Sequence, residues 1–225
     1  MDSHPQQTFT ESLHAEARPI WDRQQPHPFL LGLADGSLPP AKFLFYTRQD
    51  VGFLSELRRV FAYAAARSDD PADQTRFARL LIETNDILDS LHARYAALHG
   101  LTAADLSDTP PAPTTYAYTR HLLSTALADT YPALVAALLP SHWMYDELGK
   151  RLAASGPPPT DHPYREWLLA HAGPHLEETT AWLRTILDRA ANDFSTPARA
   201  HITDVFLISS RYEIAFWDMS WREEG

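Results

Sequence analysis

Prolines in this sequence stand mostly at the edges of long stretches with a 3.6-residue hydrophobic period, and that placement constrains the fold more than any other feature. Proline has a near-helical φ and no N–H, so it suits the first turn of a helix and disrupts the interior. Pro39-Pro40, Pro71, Pro132, Pro174 and Pro197 each open such a stretch. Glycine is scarce, 8 residues against 18 prolines, and no Asn-Gly or Asp-Gly pair lies between alternating hydrophobics. Asp35-Gly36 comes nearest, but it precedes a helix start.

The pattern predicts helices over roughly 9–22, 39–67, 71–98, 115–131, 132 onward with a kink at Pro140, 161–172, 174–191 and 195–221. Thr160 or Asp161 is the expected cap of the sixth, Gly173-Pro174 its break, and Gly100 the stop of the third. Residues 26–28 read as a loop, 29–33 as a short turn, and 101–113 as a proline-rich surface loop. The expectation is an all-α chain, residues 1–225 forming one domain with 1–8 as a disordered tail.

The chain has 225 residues, 44% of them hydrophobic and 21% charged, which is ordinary globular composition. Its net charge of −10 argues against nucleic acid and against anionic membrane surfaces, since both need a basic face. There is no cysteine, which excludes disulfides, thiolate metal sites and a thiol nucleophile. Residues 1–10 are polar without the apolar segment of a signal peptide, and no apolar run approaches membrane-spanning length. The expected compartment is the cytoplasm.

Polar groups on apolar stripes carry the functional signal, because burying one without a partner costs about 1–3 kcal/mol. Asp50 shares a stripe with Phe43, Tyr46, Leu57 and Phe61. Ser141 shares one with Leu134, Leu138, Tyr145 and Leu148. Glu213 sits amid Ile202, Phe206, Ser209, Phe216 and Ser220. Each has a plain structural reading as well: a buried acid pairs with arginine, and a serine beside a proline kink bonds back to its own helix. The aromatic groups near Tyr116, Tyr118, Trp143, Tyr145, Phe216 and Trp217 read equally well as core. Convergence of such residues from several helices is the form a small-molecule pocket takes in a helical bundle. Eleven histidines include no His-Glu-x-x-His pair and no repeated Glu-x-x-His. His92 and His121 read as surface or core residues, and neither metal nor organic cofactor is expected.

Four segments in register carry a family resemblance. They are His27-Pro28-Phe29 through Gln49-Asp50, Pro113-Thr114-x-Tyr116-x-Tyr118-Thr119, Leu138-Leu139-Pro140-Ser141-x-Trp143-x-Tyr145-x-Glu147-x-Gly149, and Ile208-Ser209-Ser210-x-Tyr212-Glu213-x-x-Phe216-Trp217-x-Met219. Together they resemble the TenA (thiaminase II) family from about His27 to Trp221. The resemblance implies a haem-oxygenase-like helical bundle, a homotetramer, and hydrolysis in thiamin salvage that releases hydroxymethylpyrimidine from thiamin or its aminomethylpyrimidine breakdown products. It implies that Asp50 accepts hydrogen bonds from the aminopyrimidine, that Phe53 and Phe216 sandwich the ring, and that Tyr118 and Tyr145 orient polar groups. Glu213 would be general acid and base, a task that a raised pKa serves. Phe53 and His171 stand where tyrosine is often found.

Ser141 departs from the family pattern, whose thiaminase members carry a nucleophilic cysteine after Leu-Leu-Pro. A serine without an adjacent base is a poor nucleophile. The resemblance therefore points to the branch that lacks the cysteine and acts on aminopyrimidine, with Glu83 and Asp86 as further candidate carboxylates. The alternative is a binding or regulatory protein that kept the pocket and lost turnover; an oxygenase-like enzyme on the same fold is a third reading, opposed by the missing metal motif.

Overall fold

The computed structural model describes residues 7–98, 100–154 and 156–224, apart from the side chains of 91–93, 98 and 103. Its described residues contain helices and no strand. The α-helices are α1 Phe9–Trp21, α2 Pro28–Asp35, α3 Pro40–Arg67, α4 Pro71–Ile87, α5 Ala93–Leu98, α6 Ala103–Ser107, α7 Pro113–Ala128, α8 Tyr131–Ala153, α9 Arg165–His171, α10 Pro174–Ala190 and α11 Thr196–Arg222. Prolines at the first turns of α2, α3, α4, α7 and α10 account for most of the starts. The chain groups into two compact units, residues 1–37 with 135–214 and residues 38–134 with 215–225, so the boundaries fall inside α8 and α11.

In the first unit, Thr8 and Glu11 form a capping box that starts α1. Of the residues expected in a disordered tail, 1–6 lie outside the described residues, and Thr8 is this cap. Leu13 and Ala17 of α1 are fully buried, and Asp188 of α10 accepts from both the backbone N–H and the hydroxyl of Thr10 at 2.8 and 2.9 Å. The segment read as a short turn after Pro28 is the two-turn helix α2. His27 caps it, its Nδ1 accepting from Phe29 N–H, and Gly36 ends it at φ 82°, a left-handed conformation that glycine adopts without strain. The expected cap at Thr160 or Asp161 does not form: α9 starts later, at Arg165, after a turn in which His162 Nδ1 accepts from Tyr164 N–H at 3.1 Å. The ring competes successfully for the donor that the sequence pattern assigned to a cap.

In the second unit, α3 packs on α4 and α7 and buries Phe43, Tyr46, Phe53, Leu57, Val60, Phe61 and Ala64. Fully burying a large side chain of this kind contributes about 1.5–3 kcal/mol. Arg67 fastens the ends of α3 and α7, donating to the carbonyl of Ala126 at 2.7 Å and to that of Asp129. The predicted third helix is α4 and α5 joined by a π-helical turn over Leu88–His92. The segment 101–113, expected to be a surface loop, contains α6. Thr102 and Asp105 cap it reciprocally, and Leu106 is buried with Val51 and Ala96. Gln49 holds the chain that follows, accepting from Ala112 N–H at 2.8 Å and donating to the Pro110 carbonyl at 3.3 Å. α8 runs through Pro140 without interruption, and its residues 133–139 are buried on every side.

Candidate functional site

Within the second unit, the structure brings three of the predicted residues into ring contact. Phe53 lies 5.0 Å from Tyr118 between centroids, at an interplanar angle of 34°, and 6.0 Å from Phe216 at 66°. Tyr46 backs the group, meeting Phe216 edge-on at 6.0 Å and stacking on Trp217 at 5.6 Å and 18°. Phe53, Tyr118 and Phe216 are all buried, the tyrosine to 1% exposure. A flat ring held between two phenyl faces needs about 7 Å between them, two van der Waals contacts of 3.5 Å. Phe53 and Phe216 meet edge to face at a shorter separation, so a ring enters between them only if one phenyl swings aside.

Asp50 precedes Phe53 by one helical turn on α3 and is half-buried. Glu213 precedes Phe216 by one turn on α11 and is 3% exposed. Along each helix a carboxyl thus stands one turn before a phenyl group, Glu213 on the part of α11 that belongs to the first unit. Of the further carboxylates, Asp86 is solvent-exposed and Glu83 half-buried, both on α4. Tyr116, read as core, is exposed and lies beneath the Arg120 guanidinium at 5.3 Å.

Within the first unit, Ser141, Tyr145 and His171 occupy neighbouring parts of α8 and α9. The Ser141 hydroxyl donates to the Leu138 carbonyl at 2.8 Å, the helix-internal bond expected of a serine at this position. His142 was not singled out in the sequence, yet its Nδ1 lies 3.1 Å from both Ser141 Oγ and that same carbonyl. A carbonyl only accepts, so Nδ1 carries the proton, and the ring does not offer the serine a lone pair at this nitrogen. Burial pushes the His142 imidazole down to about 4; the neighbouring His175 adds to the effect, and the bond to Leu138 opposes it. Ser141 therefore has an imidazole beside it but no base at the nitrogen it faces.

His171 Nδ1–H donates to the Trp167 carbonyl at 2.8 Å, and its ring stacks on Trp167 at 3.8 Å and 24°. Its other neighbour is Tyr145, 5.2 Å away at 33°. Trp167 is not singled out by the sequence pattern: its one-turn spacing to His171 is visible there, but the stacking of the two rings is not. Among the described residues, no three His, Asp or Glu side chains cluster in a way that would hold a metal ion.

Clustered aromatic rings with a carboxyl one turn away, as Asp50 is from Phe53, are of the kind that holds a flat heterocycle. The TENA/THI-4/PQQC family pattern matches residues 14–223, and the chain belongs to that family. It is 37% identical to an aminopyrimidine aminohydrolase of Halalkalibacterium halodurans over 217 residues, covering 96% of each chain. Among solved structures, a TenA homologue from P. horikoshii OT3 superimposes with a TM-score of 0.85 at 27% identity, covering 96% of this chain and 99% of the other. A protein from Shewanella denitrificans described as having a heme oxygenase-like fold gives a TM-score of 0.69 at 15% identity, covering 95% and 92%, which bears on the fold alone. The all-α, haem-oxygenase-like expectation holds.

Proposed function

We infer that this chain is an aminohydrolase of thiamin salvage, replacing the amine of an aminomethylpyrimidine by the hydroxyl of water to release hydroxymethylpyrimidine. The observation that carries the reading is a buried carboxyl, Glu213, one turn before a phenyl group, Phe216, that belongs to an aromatic cluster. The name of the relative at 37% identity supports the same chemistry. Asp50 accepts hydrogen bonds from the amidine edge of the pyrimidine, a task suited to a carboxylate acceptor. Phe53 and Phe216 bind the ring faces, and Tyr118, Tyr145 and His171 orient its polar groups. Glu213 gives its proton to the departing nitrogen as the carbon–nitrogen bond breaks, the bonding pair leaving with nitrogen. Its carboxylate then takes a proton from the water that adds to the same carbon, so one water enters and one amine leaves.

Ser141 takes no covalent part in this scheme, because its proton is committed to the Leu138 carbonyl. Cleavage of thiamin itself is correspondingly weak or absent. No described helix is long and apolar enough to cross a membrane. We assign the chain to the cytoplasm and to a homotetramer, as the family resemblance implies. The deciding experiment incubates the protein with aminomethylpyrimidine, its formylated form and thiamin, and follows hydroxymethylpyrimidine by chromatography. Release from the first two supports the aminohydrolase. Binding of the ring with no release from any of the three replaces it with a silent binding protein.

A further inference from the structure

The strongest unassigned feature of the first unit is a glycine. A Cβ built on Gly149 of α8 would lie 1.9 Å from the carbonyl oxygen of His171 and 2.7 Å from its carbonyl carbon. Contacts below 3.0 Å with backbone atoms do not occur in folded proteins, so the last residue of α9 rests where any other residue's side chain would be. Gly149 follows Tyr145 by one turn of α8, and the His171 ring lies against that tyrosine at 5.2 Å. The same His171 is fixed a second time within α9, by its Nδ1–H bond to the Trp167 carbonyl at 2.8 Å and by stacking on the Trp167 ring at 3.8 Å.

We propose that Gly149 is a positioning residue: by admitting the His171 backbone against α8, it sets the imidazole beside Tyr145, where the ring meets a polar group of the substrate. This rests on the aminopyrimidine reading given above. It assigns a function to the absence of a side chain, and it explains how α9, only seven residues long, delivers a ring to a defined place. The helix is anchored by backbone contact instead of by a long buried stripe. Two of its residues, Trp167 and Leu168, are buried, and the turn that carries His171 is held at Gly149.

The test combines Gly149→Ala, His171→Ala and the double variant, with two measurements on each. The first is kcat/KM for aminomethylpyrimidine, taken well below the melting temperature of every variant. The second is the NMR shift of the His171 ring protons, assigned by their loss in His171→Ala and displaced in the wild type by the ring current of Trp167. Gly149→Ala is expected to move that resonance toward the position of an exposed imidazole and to lower kcat/KM by about 10- to 100-fold, the scale of an ångström misplacement. The double variant is expected to be no worse than the more damaged single one, since both act through the same ring. Leu13→Ala, a core truncation in the same unit, serves as a control: it lowers the melting temperature and leaves kcat/KM unchanged. An unmoved His171 resonance in folded Gly149→Ala, or additive losses in the double variant, overturns the proposal. A wild type that turns over no pyrimidine, with the resonance still moving in Gly149→Ala, overturns the aminohydrolase reading and supports the seating. Should Gly149→Ala not fold, Trp167→Leu loosens the same ring from its other side. Wild-type kcat/KM in that variant overturns the proposal, and a loss non-additive with His171→Ala supports it.

Discussion

Around Phe53, ring meets ring: Tyr118, Phe216, Tyr46 and Trp217 hold one another by faces and edges at 5.0–6.0 Å. Around His171 and Ser141, polar atoms are tied to backbone carbonyls one turn earlier, Trp167 for one and Leu138 for the other. Ring contacts carry no directed bond and contribute only about 0.5–1.5 kcal/mol per pair beyond burial, so their angles are held less strictly than a hydrogen bond's. A side chain bonded to its own helix and seated by backbone contact has no such freedom. On the proposed function, the first region is the adaptable grip on the substrate's ring and the second the fixed presentation of polar groups. The carboxyls, Asp50 and Glu213, each stand one turn from a ring of the adaptable kind.

The largest effect is expected where chemistry depends on a proton. Glu213→Gln keeps the volume and polarity of the side chain and removes the exchangeable carboxyl proton. Aminopyrimidine hydrolysis should fall by about 100-fold or more, the usual range for a general acid–base, with binding of hydroxymethylpyrimidine retained. Single-turnover kinetics alongside calorimetry check both halves. Loss of binding with the remaining rate unchanged would make Glu213 part of the grip instead.

The fixed region carries its own signature in acid. His142 is buried and neutral, held down to about 4 against 6.5 for a free imidazole. The unfolded chain therefore binds one more proton than the folded one between those values. The stabilisation is complete above about 6.5 and is lost as the pH falls toward 4, about 3 kcal/mol in all at 1.4 kcal/mol per unit. His142→Gln keeps a donor for the Leu138 carbonyl and cannot protonate. Urea midpoints measured from pH 7 to pH 4 should fall less steeply in this variant than in the wild type. Equal slopes would mean that the ring escapes its burial as it charges.

Asp50 tests the adaptable region. Asp50→Ala removes a charged acceptor, a bond type that contributes about 1.5–3 kcal/mol, so affinity for hydroxymethylpyrimidine should drop by about 10- to 100-fold. Calorimetry reads this directly. A wild-type affinity would leave the rings as the sole grip.

Proline placement made α3, α4, α8, α10 and α11 legible in the sequence, because a starting signal and a hydrophobic period agreed in each. α6 was hidden by the prolines that follow it and by its length: five residues give no period to read, and of its described side chains only Leu106 is anchored in the core. The start of α9 was misread because Asp161 is a good cap in sequence, whereas the contact of His162 with the Tyr164 N–H exists only in the folded turn. In the candidate site, the burial of Glu213 and Phe216 followed from their shared stripe, and that of Tyr118 from its place in an aromatic group. The edge-on meeting of Phe53 with Phe216 did not, since stripe membership fixes a face of the helix and not a ring angle. Nor did the part of Gly149, because a missing side chain has no hydrophobicity to detect.

Ser141 carries the smallest expected effect and the sharpest distinction. Its hydroxyl donates to a carbonyl on its own helix, and the nitrogen of His142 that faces it holds a proton. Removing such a hydroxyl costs little in a reaction run by Glu213 and water, so Ser141→Ala should change kcat/KM for aminomethylpyrimidine by less than about threefold, within the range of surface-like substitutions. Ser141→Cys is expected to raise thiamin cleavage above the wild-type level, because a thiol yields appreciable thiolate near neutral pH where a hydroxyl does not. The pair is read by steady-state assays on both substrates. A loss in Ser141→Ala as large as that in Glu213→Gln would require the serine to be the nucleophile and His142 to shift its proton to Nε2, freeing Nδ1 as the base. His142→Gln would then be as inactive as Ser141→Ala, and the fixed region, not the adaptable one, would hold the reaction's chemistry.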